Sequence, residues 1–212
     1  MRARKKKNID ARLEKGSDLI ADHIILNDKP LHIEIGCGKG QFITKIAQDF
    51  DYNFYALEKE KHVAVMAIEK AVNNNLTNIK FILNDAVSLE NCCPEHSVDI
   101  IYLNFSDPWP KNRDTEKRLT HHNFLNIYKK ILKNDGFIII KTDNVKLFDF
   151  TIEEINLSGF EILSISRDLH HSDIENPYKT EYEQRFSEQG VNINYLKIYV
   201  KNNFTETLNA KD

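Results

Sequence analysis

The sequence predicts an α/β protein built on a mostly parallel seven-stranded sheet, with helices on both faces and one antiparallel edge strand. Three observations lead there. Apolar, β-rich runs recur with helical patterns between them, the signature of βαβ units and so of a parallel sheet covered on both sides. Several runs are nearly continuous rather than alternating, as in Val98-Asp99-Ile100-Ile101-Tyr102-Leu103, which suits strands buried on both faces. The alternation then breaks near the end of the chain, where two runs follow one another without a clear helix between them, so the last strand is expected to return antiparallel.

In chain order, strands are expected at 31–35, 52–57, 79–83, 98–103, 136–141, 160–165 and 195–200. A helix starts near Gln41, and Val63, Met66 and Val72 with Ala67 and Ala71 mark another. Phe124, Leu125, Tyr128, Ile131 and Leu132 follow helical spacing more clearly, with Thr120 as the N-cap. Residues 166–194 form a polar stretch with no apolar period; inside a compact domain such a stretch is usually functional or disordered. No internal repeat, linker or boundary interrupts the chain. It reads as a single domain over 1–202, with a basic N-terminal arm at 1–15 and a frayed tail at 203–212.

Composition narrows the function classes. Of 212 residues, 41% are hydrophobic and 29% charged, as in an ordinary soluble globular protein. No apolar run approaches the ~20 residues that span a bilayer. The start, Met1-Arg2-Ala3-Arg4-Lys5-Lys6-Lys7, is positive but has no apolar segment behind it, so it is not a secretory signal. Cys37, Cys92 and Cys93 form neither a CxxC pair nor a zinc spacing, and vicinal Cys92-Cys93 does not bridge easily; a reducing cytoplasm is the expected compartment. A net charge of −3 argues against a generic nucleic-acid coat protein. Basic residues nevertheless crowd the first fifteen positions and recur at Lys111, Arg113, Lys117 and Arg118, and such patches bind phosphates on an acidic protein. A solvated terminus and an ordinary charged loop are the plainer alternatives.

The residues that carry chemistry begin with Leu31-His32-Ile33-Glu34-Ile35-Gly36-Cys37-Gly38-Lys39-Gly40, a strand running into a glycine turn. A dinucleotide fingerprint wants glycine at position 41, where Gln41 stands. The pattern here is E-x-G-x-G-x-G with the acid on the strand, as in the first motif of S-adenosylmethionine enzymes. An acid suits that ligand, which carries an ammonium and a sulfonium but no phosphate. A glycine turn that merely packs helix on strand is the alternative. Glu58 closes the second strand, the usual place for a carboxylate to accept from both ribose hydroxyls. Asp85 closes the third, where it either accepts from an adenine amino group or caps a helix. The fourth strand enters Asn104-Phe105-Ser106-Asp107-Pro108-Trp109-Pro110-Lys111, a proline-stiffened turn that brings together an acid, an aromatic face and a cation. It reads equally as a binding site for a planar base and as a rigid connection. His121-His122 and His170-His171 lack a third ligand and read as surface polar residues, so no metal is expected, and Cys92-Cys93 shows no histidine–acid arrangement that would make a nucleophile.

Taken together, Glu34 with its glycine loop, Asp107-Pro108-Trp109-Pro110-Lys111, Arg113 with Lys117-Arg118, and Thr180-Glu181-Tyr182-Glu183 resemble the bacterial tRNA (guanine-N7)-methyltransferase family. The resemblance runs from the basic N-terminus to about Val200. It implies a Rossmann-like class I methyltransferase fold and S-adenosylmethionine as cofactor, contacted by the Glu34–Gly36–Gly38 loop, Glu58, Asp85 and Asp107. It implies substrate contacts at Lys111, Asp143, Thr180, Glu181, Tyr182 and Glu183, and an RNA-contacting segment from Arg113 through Lys117 to Arg118. That segment departs from the family's more basic R-H-x-K-R-R, since Asp114 and Glu116 dilute its charge. The expected partner is tRNA, with no membrane, and the protein is expected to be a monomer or homodimer. Asp107 is expected to anchor the base and face its developing positive charge. The alternatives are methylation of an exocyclic amine, which the likeness of D-P-W-P to D-P-P-Y motifs suggests, a nicotinamide oxidoreductase, and a catalytically silent RNA-binding protein.

Overall fold

A computed structural model describes residues 8–201, so Arg2–Lys7 of the basic arm and the tail at 203–212 lie outside the described residues. A short helix α1 (Ile9–Glu14) precedes the sheet and docks on α3 (Lys61–Asn73), burying Leu13 and pairing Arg12 with Glu69 at 2.5 Å. The sheet strands are β1 (Leu31–Ile35), β2 (Asn53–Leu57), β3 (Ile79–Ile82), β4 (Val98–Asn104), β5 (Leu132–Thr142), β6 (Phe160–Ser166) and β7 (Asn194–Val200), in the order β3-β2-β1-β4-β5-β7-β6. Between them run α2 (Gln41–Asp49), α4 (Leu89–Cys92), α5 (His122–Ile131), α6 (Val145–Ser158) and α7 (Glu181–Ser187). Strands β1 to β5 pair in parallel, whereas β7 runs antiparallel between β5 and β6, so antiparallel pairing occupies that edge of the sheet.

Period-two alternation decides which side each residue serves. On one face Leu31, Ile33, Ile35, Tyr55 and Leu57 meet Leu125, Tyr128 and Ile131 of α5 and Phe148 and Ile155 of α6. On the other, Phe54, Ala56, Phe81 and Tyr102 meet Phe42, Ile43 and Ile46 of α2 and Val65, Ala67 and Ile68 of α3. The chain leaves β1 toward β2 and β3, then returns to place β4 on the other side of β1. That reversal opens a crevice at the carboxyl ends of the strands, where ligands bind in open α/β sheets.

Three expectations change. Thr120 is not the cap of α5; it is fully buried and its hydroxyl accepts from Thr151 Oγ1 at 2.8 Å, while the His121 ring accepts from the Asn123 N–H. The polar stretch holds a helix, α7, that no apolar period announced. β5 begins four residues earlier than expected, at Leu132, directly after α5. The three cysteines are buried and free, and among the described residues no helix is long and apolar enough to cross a membrane.

The turn into α2 depends on Gly40. Its φ is +72°, and a Cβ there would lie 2.6 Å from the Ala67 Cβ on α3. Gly40→Ala should therefore cost about 2–4 kcal/mol, from overpacking together with a left-handed L-residue. The check is a urea midpoint that falls with an unchanged m-value; an unaltered midpoint would show that α2 and α3 separate freely.

Candidate functional site

Two adjoining cavities open at the carboxyl ends of the strands. The larger, about 600 Å³, is lined by Glu58, Asn84, Asp85, Asp107, Trp109 and Lys117 among others. The smaller, about 340 Å³, takes in Glu34, Gly38, Asn104, Thr180, Glu181 and Tyr182. Gly36 and Phe105 line both.

Glu34 stands at the heart of the smaller cavity, 2% exposed. Its Oε1 accepts from Asn104 Nδ2 at 2.9 Å, while Glu34 Oε2 and Asn104 Oδ1 are buried without a hydrogen-bond partner. Burial pushes the Glu34 carboxyl up to about 8, although the Asn104 hydrogen bond and the charge of Lys141 pull it down. Two unpartnered acceptor oxygens on neighbouring strands suit an ammonium donor. Gly36 and Gly38 in the turn beside them stand at positive φ, with open space where their side chains would be.

The acids around the larger cavity are differently held. Glu58 accepts from the Gly38 N–H at 3.1 Å and from the Glu60 N–H at 2.9 Å, so it clamps the glycine turn to the end of β2. Asp85 is exposed and accepts from the Val87 N–H at 3.1 Å: it caps the 3₁₀ turn Ala86–Ser88, and its residue also lines the cavity. Asp107 is exposed on a loop bracketed by two non-glycine residues of positive φ, Phe105 at 53° and Trp109 at 40°.

Arg118 braces that loop from below. It is buried, donates from Nε to Pro108 O at 3.0 Å and from Nη2 to Trp109 O at 3.1 Å, and lies over the Phe150 ring. Sequence placed it among phosphate contacts; the side chain is buried and two of its donors are spent on the loop's backbone. Lys117 sits 5.0 Å over the Trp109 ring and pairs with Asp114 at 2.6 Å. Lys111 and Arg113 are exposed beside the site and line neither cavity.

Thr180-Glu181-Tyr182-Glu183 forms the start of α7, and its residues face different ways. Thr180 and Glu183 make a capping box, with the Glu183 N–H donating to Thr180 Oγ1 at 2.9 Å. Glu183 is fully buried and accepts from Lys141 Nζ at 2.7 Å and Asn176 Nδ2 at 2.6 Å. Burial lowers the Lys141 pKa and Glu183 opposes the shift; Lys141 Nζ also donates to Tyr178 O at 3.2 Å. Segment 176–183 is thus strapped to β5 from beneath. Above, Tyr182 donates its hydroxyl to Asp143 Oδ2 at 3.2 Å and Lys39 pairs with Glu181 at 3.2 Å. Asp143 lines neither cavity directly.

Sequence reasoning missed Asn104, Phe105 and Lys141. A lysine closing the run Ile138-Ile139-Ile140-Lys141 was the available signal, since an unpaired charge does not end a buried strand without a partner. The reading of His121-His122 also needs correction: His121 is buried, and Glu154 of α6 supplies a third group. Glu154 Oε2 already accepts from the His122 backbone N–H and faces its Nδ1 at 2.8 Å. The two imidazoles lie 3.9 Å apart at 34°, and one ligand atom from each of His121, His122 and Glu154 lies within 4.8 Å of the others. The cluster seats the start of α5 on α6.

Glu34 generates a pH prediction. Its folded pKa is raised above the unfolded value, so its contribution to stability is complete below about 4.5 and is lost as pH rises through about 8. Glu34→Gln keeps the shape and removes the charge. It should raise the melting temperature at pH 8.5 by at least about 4 °C, the shift that about 1–2 kcal/mol produces in a chain of this size, and change it little at pH 5. Equal melting curves at both values would mean that Glu34 is hydrated rather than buried.

Comparison with known proteins follows the same lines. Residues 28–196 match the family model described as "Putative methyltransferase". The chain is 45% identical over 168 residues to the tRNA (guanine-N(7)-)-methyltransferase of Staphylococcus saprophyticus, covering 79% of this chain and 80% of that protein. It is 45% identical over 168 residues to the protein of the same name from Clostridioides difficile, covering 79% and 78%. Among solved structures, a precorrin-6y C5,15-methyltransferase from Geobacter metallireducens superposes with a TM-score of 0.58 at 11% identity, covering 92% of this chain and 91% of that one. The [4+2]-cyclase SpnF does so with a TM-score of 0.59 at 15% identity, covering 91% and 80%. Those two likenesses speak for the fold; the sequence matches, which span most of both chains, show that this chain belongs to the methyltransferase family of the tRNA (guanine-N(7)-)-methyltransferases.

Proposed function

We propose that this protein transfers the methyl group of S-adenosylmethionine to N7 of a guanosine in the variable loop of tRNA. The observation that carries the reading is the buried Glu34–Asn104 pair, with its unpartnered oxygens, beside the Glu58–Asp85 side of the crevice in a chain of this family. S-adenosylmethionine supplies an electrophilic methyl group on a sulfonium. Glu34 and Asn104 receive its ammonium, the Gly36–Gly38 turn admits its backbone-sized end, and Glu58 and Asp85 accept from its ribose and adenine.

Guanine N7 already presents an in-plane lone pair, so the chain needs no general base for this step. Its work is positioning and electrostatics. Asp107 offers a fixed negative charge toward a purine that becomes cationic as the methyl group arrives. Thr180, Glu181 and Tyr182, with Asp143 behind Tyr182, face the base; Glu183 acts from below by holding the strap. Lys111, Arg113 and Lys117 meet tRNA phosphates, and Arg118 keeps their loop in place. The basic residues within 1–15 are a further candidate for phosphate contact, and those at 2–7 lie outside the described residues. The protein works as one domain over 1–202, as a monomer or homodimer, in the cytoplasm.

Labelled S-adenosylmethionine and unmodified tRNA test this directly: nuclease digestion should yield 7-methylguanosine. A product methylated on an exocyclic nitrogen would support the rival reading. In single turnover, the wild-type rate should stay flat from neutral to mildly alkaline pH once cofactor and tRNA are saturating, because the nucleophile does not titrate there. Asp107→Asn should slow that rate by roughly 30- to 1000-fold, a loss of about 2–4 kcal/mol of transition-state stabilisation. A rate that climbs with pH through this range would point to a proton lost during transfer.

The phosphate contacts have a separate signature. Replacing Lys111 and Arg113, which line neither cavity, by Ala should lower the slope of log tRNA affinity against log salt by about 1–2 and leave cofactor affinity alone. An unchanged slope would transfer the phosphate contacts to the N-terminal arm.

A further inference from the structure

Phe105 is the one side chain that both cavities share, since Gly36, the other residue common to their linings, has none. The carboxylates suited to a nucleoside line the larger cavity, and Glu34 with Asn104 lines the smaller. S-adenosylmethionine, held by both sets in the reading above, crosses at Phe105 with its sulfonium between its two ends, so the base that receives the methyl group approaches beside this ring.

The backbone of Phe105 stands at φ 53°, a conformation that a bulky L-residue seldom adopts and that persists only where the surroundings hold it. Here they do. Its N–H donates to Lys141 O at 2.8 Å, at the end of β5 and directly behind the Lys141–Glu183 pair. Its ring packs against the small apolar cluster of Leu169, Ile193 and Tyr195. The Tyr182 ring lies 4.9 Å away at 43° and is itself stacked on Phe186 at 4.1 Å. Packing into that cluster would not by itself require positive φ, and the residue, partly buried, keeps some of its surface between the cavities.

We infer that Phe105 is a substrate-contact residue whose ring face receives the target guanine by stacking where the two cavities meet, with Tyr182 as its backing. The inference rests on the reading that the protein methylates a tRNA guanine. Stacking holds the flat purine while leaving its edges open to Thr180 and Glu181. As N7 takes the methyl group the purine gains positive charge, and an aromatic face stabilises that charge more than it does the neutral base. Stacking is indifferent to base identity, so Phe105 contributes affinity and rate, and selection of guanine falls to the polar groups around it.

The test compares Phe105→Leu, Phe105→Met and Phe105→Tyr with wild type on one unmodified tRNA. Leu and Met keep an apolar side chain of similar size without a π face; Tyr keeps the face. In Leu and Met, tRNA affinity measured at saturating S-adenosylhomocysteine, and kcat/KM for tRNA measured at saturating S-adenosylmethionine, should each fall about 5- to 100-fold; saturation separates these losses from any change in cofactor affinity. Tyr should recover most of both losses. If one aliphatic variant fails to fold or to bind cofactor, the other decides. Leu and Met matching wild type, or Tyr losing as much as they do, would overturn the stacking role while wild-type formation of 7-methylguanosine stands. Wild type that forms no 7-methylguanosine would overturn the functional reading, and this inference with it.

Discussion

Lys141 and Glu183 are withdrawn from water to 2% and 0% side-chain exposure, and neither charge is tolerable there without the other. Their pairing at 2.7 Å joins the end of β5 to the start of α7, across 42 residues of chain that include most of the long polar stretch. Removing one partner of such a pair typically costs about 3–5 kcal/mol, because the other is left buried and uncompensated. Two apolar residues would hold the segment as firmly but without direction. The ammonium has to find the carboxylate, the Asn176 side chain and the Tyr178 carbonyl at once, which places segment 176–183 in one register over the glycine loop. The same end of β5 accepts the Phe105 N–H, so the strap and the strained loop after β4 share one foundation.

Against that satisfied network, Glu34 is unsatisfied. One carboxylate oxygen and the neighbouring Asn104 oxygen have no donor, although both side chains are buried at the centre of the sheet. A protein selected for stability alone would not keep such a group. The cost falls at the topological switch point between β1 and β4, where the fold opens a crevice and a ligand can supply the missing donors. Lys141 and Glu34, two buried ionisable groups about the same crevice, differ in their partners: Lys141 has its own within the chain, and Glu34 Oε2 has none among the described residues.

The fold alone would not have led to this reading. The same architecture, at a TM-score of 0.59, serves a [4+2]-cyclase. Function attaches to the particular groups at the strand ends. In this chain those groups are the acids at the ends of β1, β2 and β3, the loop from Asn104 to Lys111, and the strap from 176 to 183.

Much of this was legible in the sequence because it depends on local pattern. Apolar runs with helical spacing between them determine the strands, and β1 begins and ends where the pattern places it, at Leu31 and Ile35. An acid before a glycine turn, and acids closing the next two strands, are likewise local, so Glu34, Glu58 and Asp85 could be found before any contact was known. Tertiary structure decided what depends on partners distant in sequence. Arg118 reads as a phosphate contact until its guanidinium is seen bonded to the carbonyls of Pro108 and Trp109. His121-His122 lacks a third group until α6 brings up Glu154, 32 residues away from His122. Thr180-x-x-Glu183 carries a capping signature, yet its helix has no apolar period, because it is held by a buried ion pair and an aromatic stack instead of by an apolar stripe. Periodicity records the average face that a segment turns to the core; a single buried charge pair leaves no period, and its direction exists only once both partners have been folded into place.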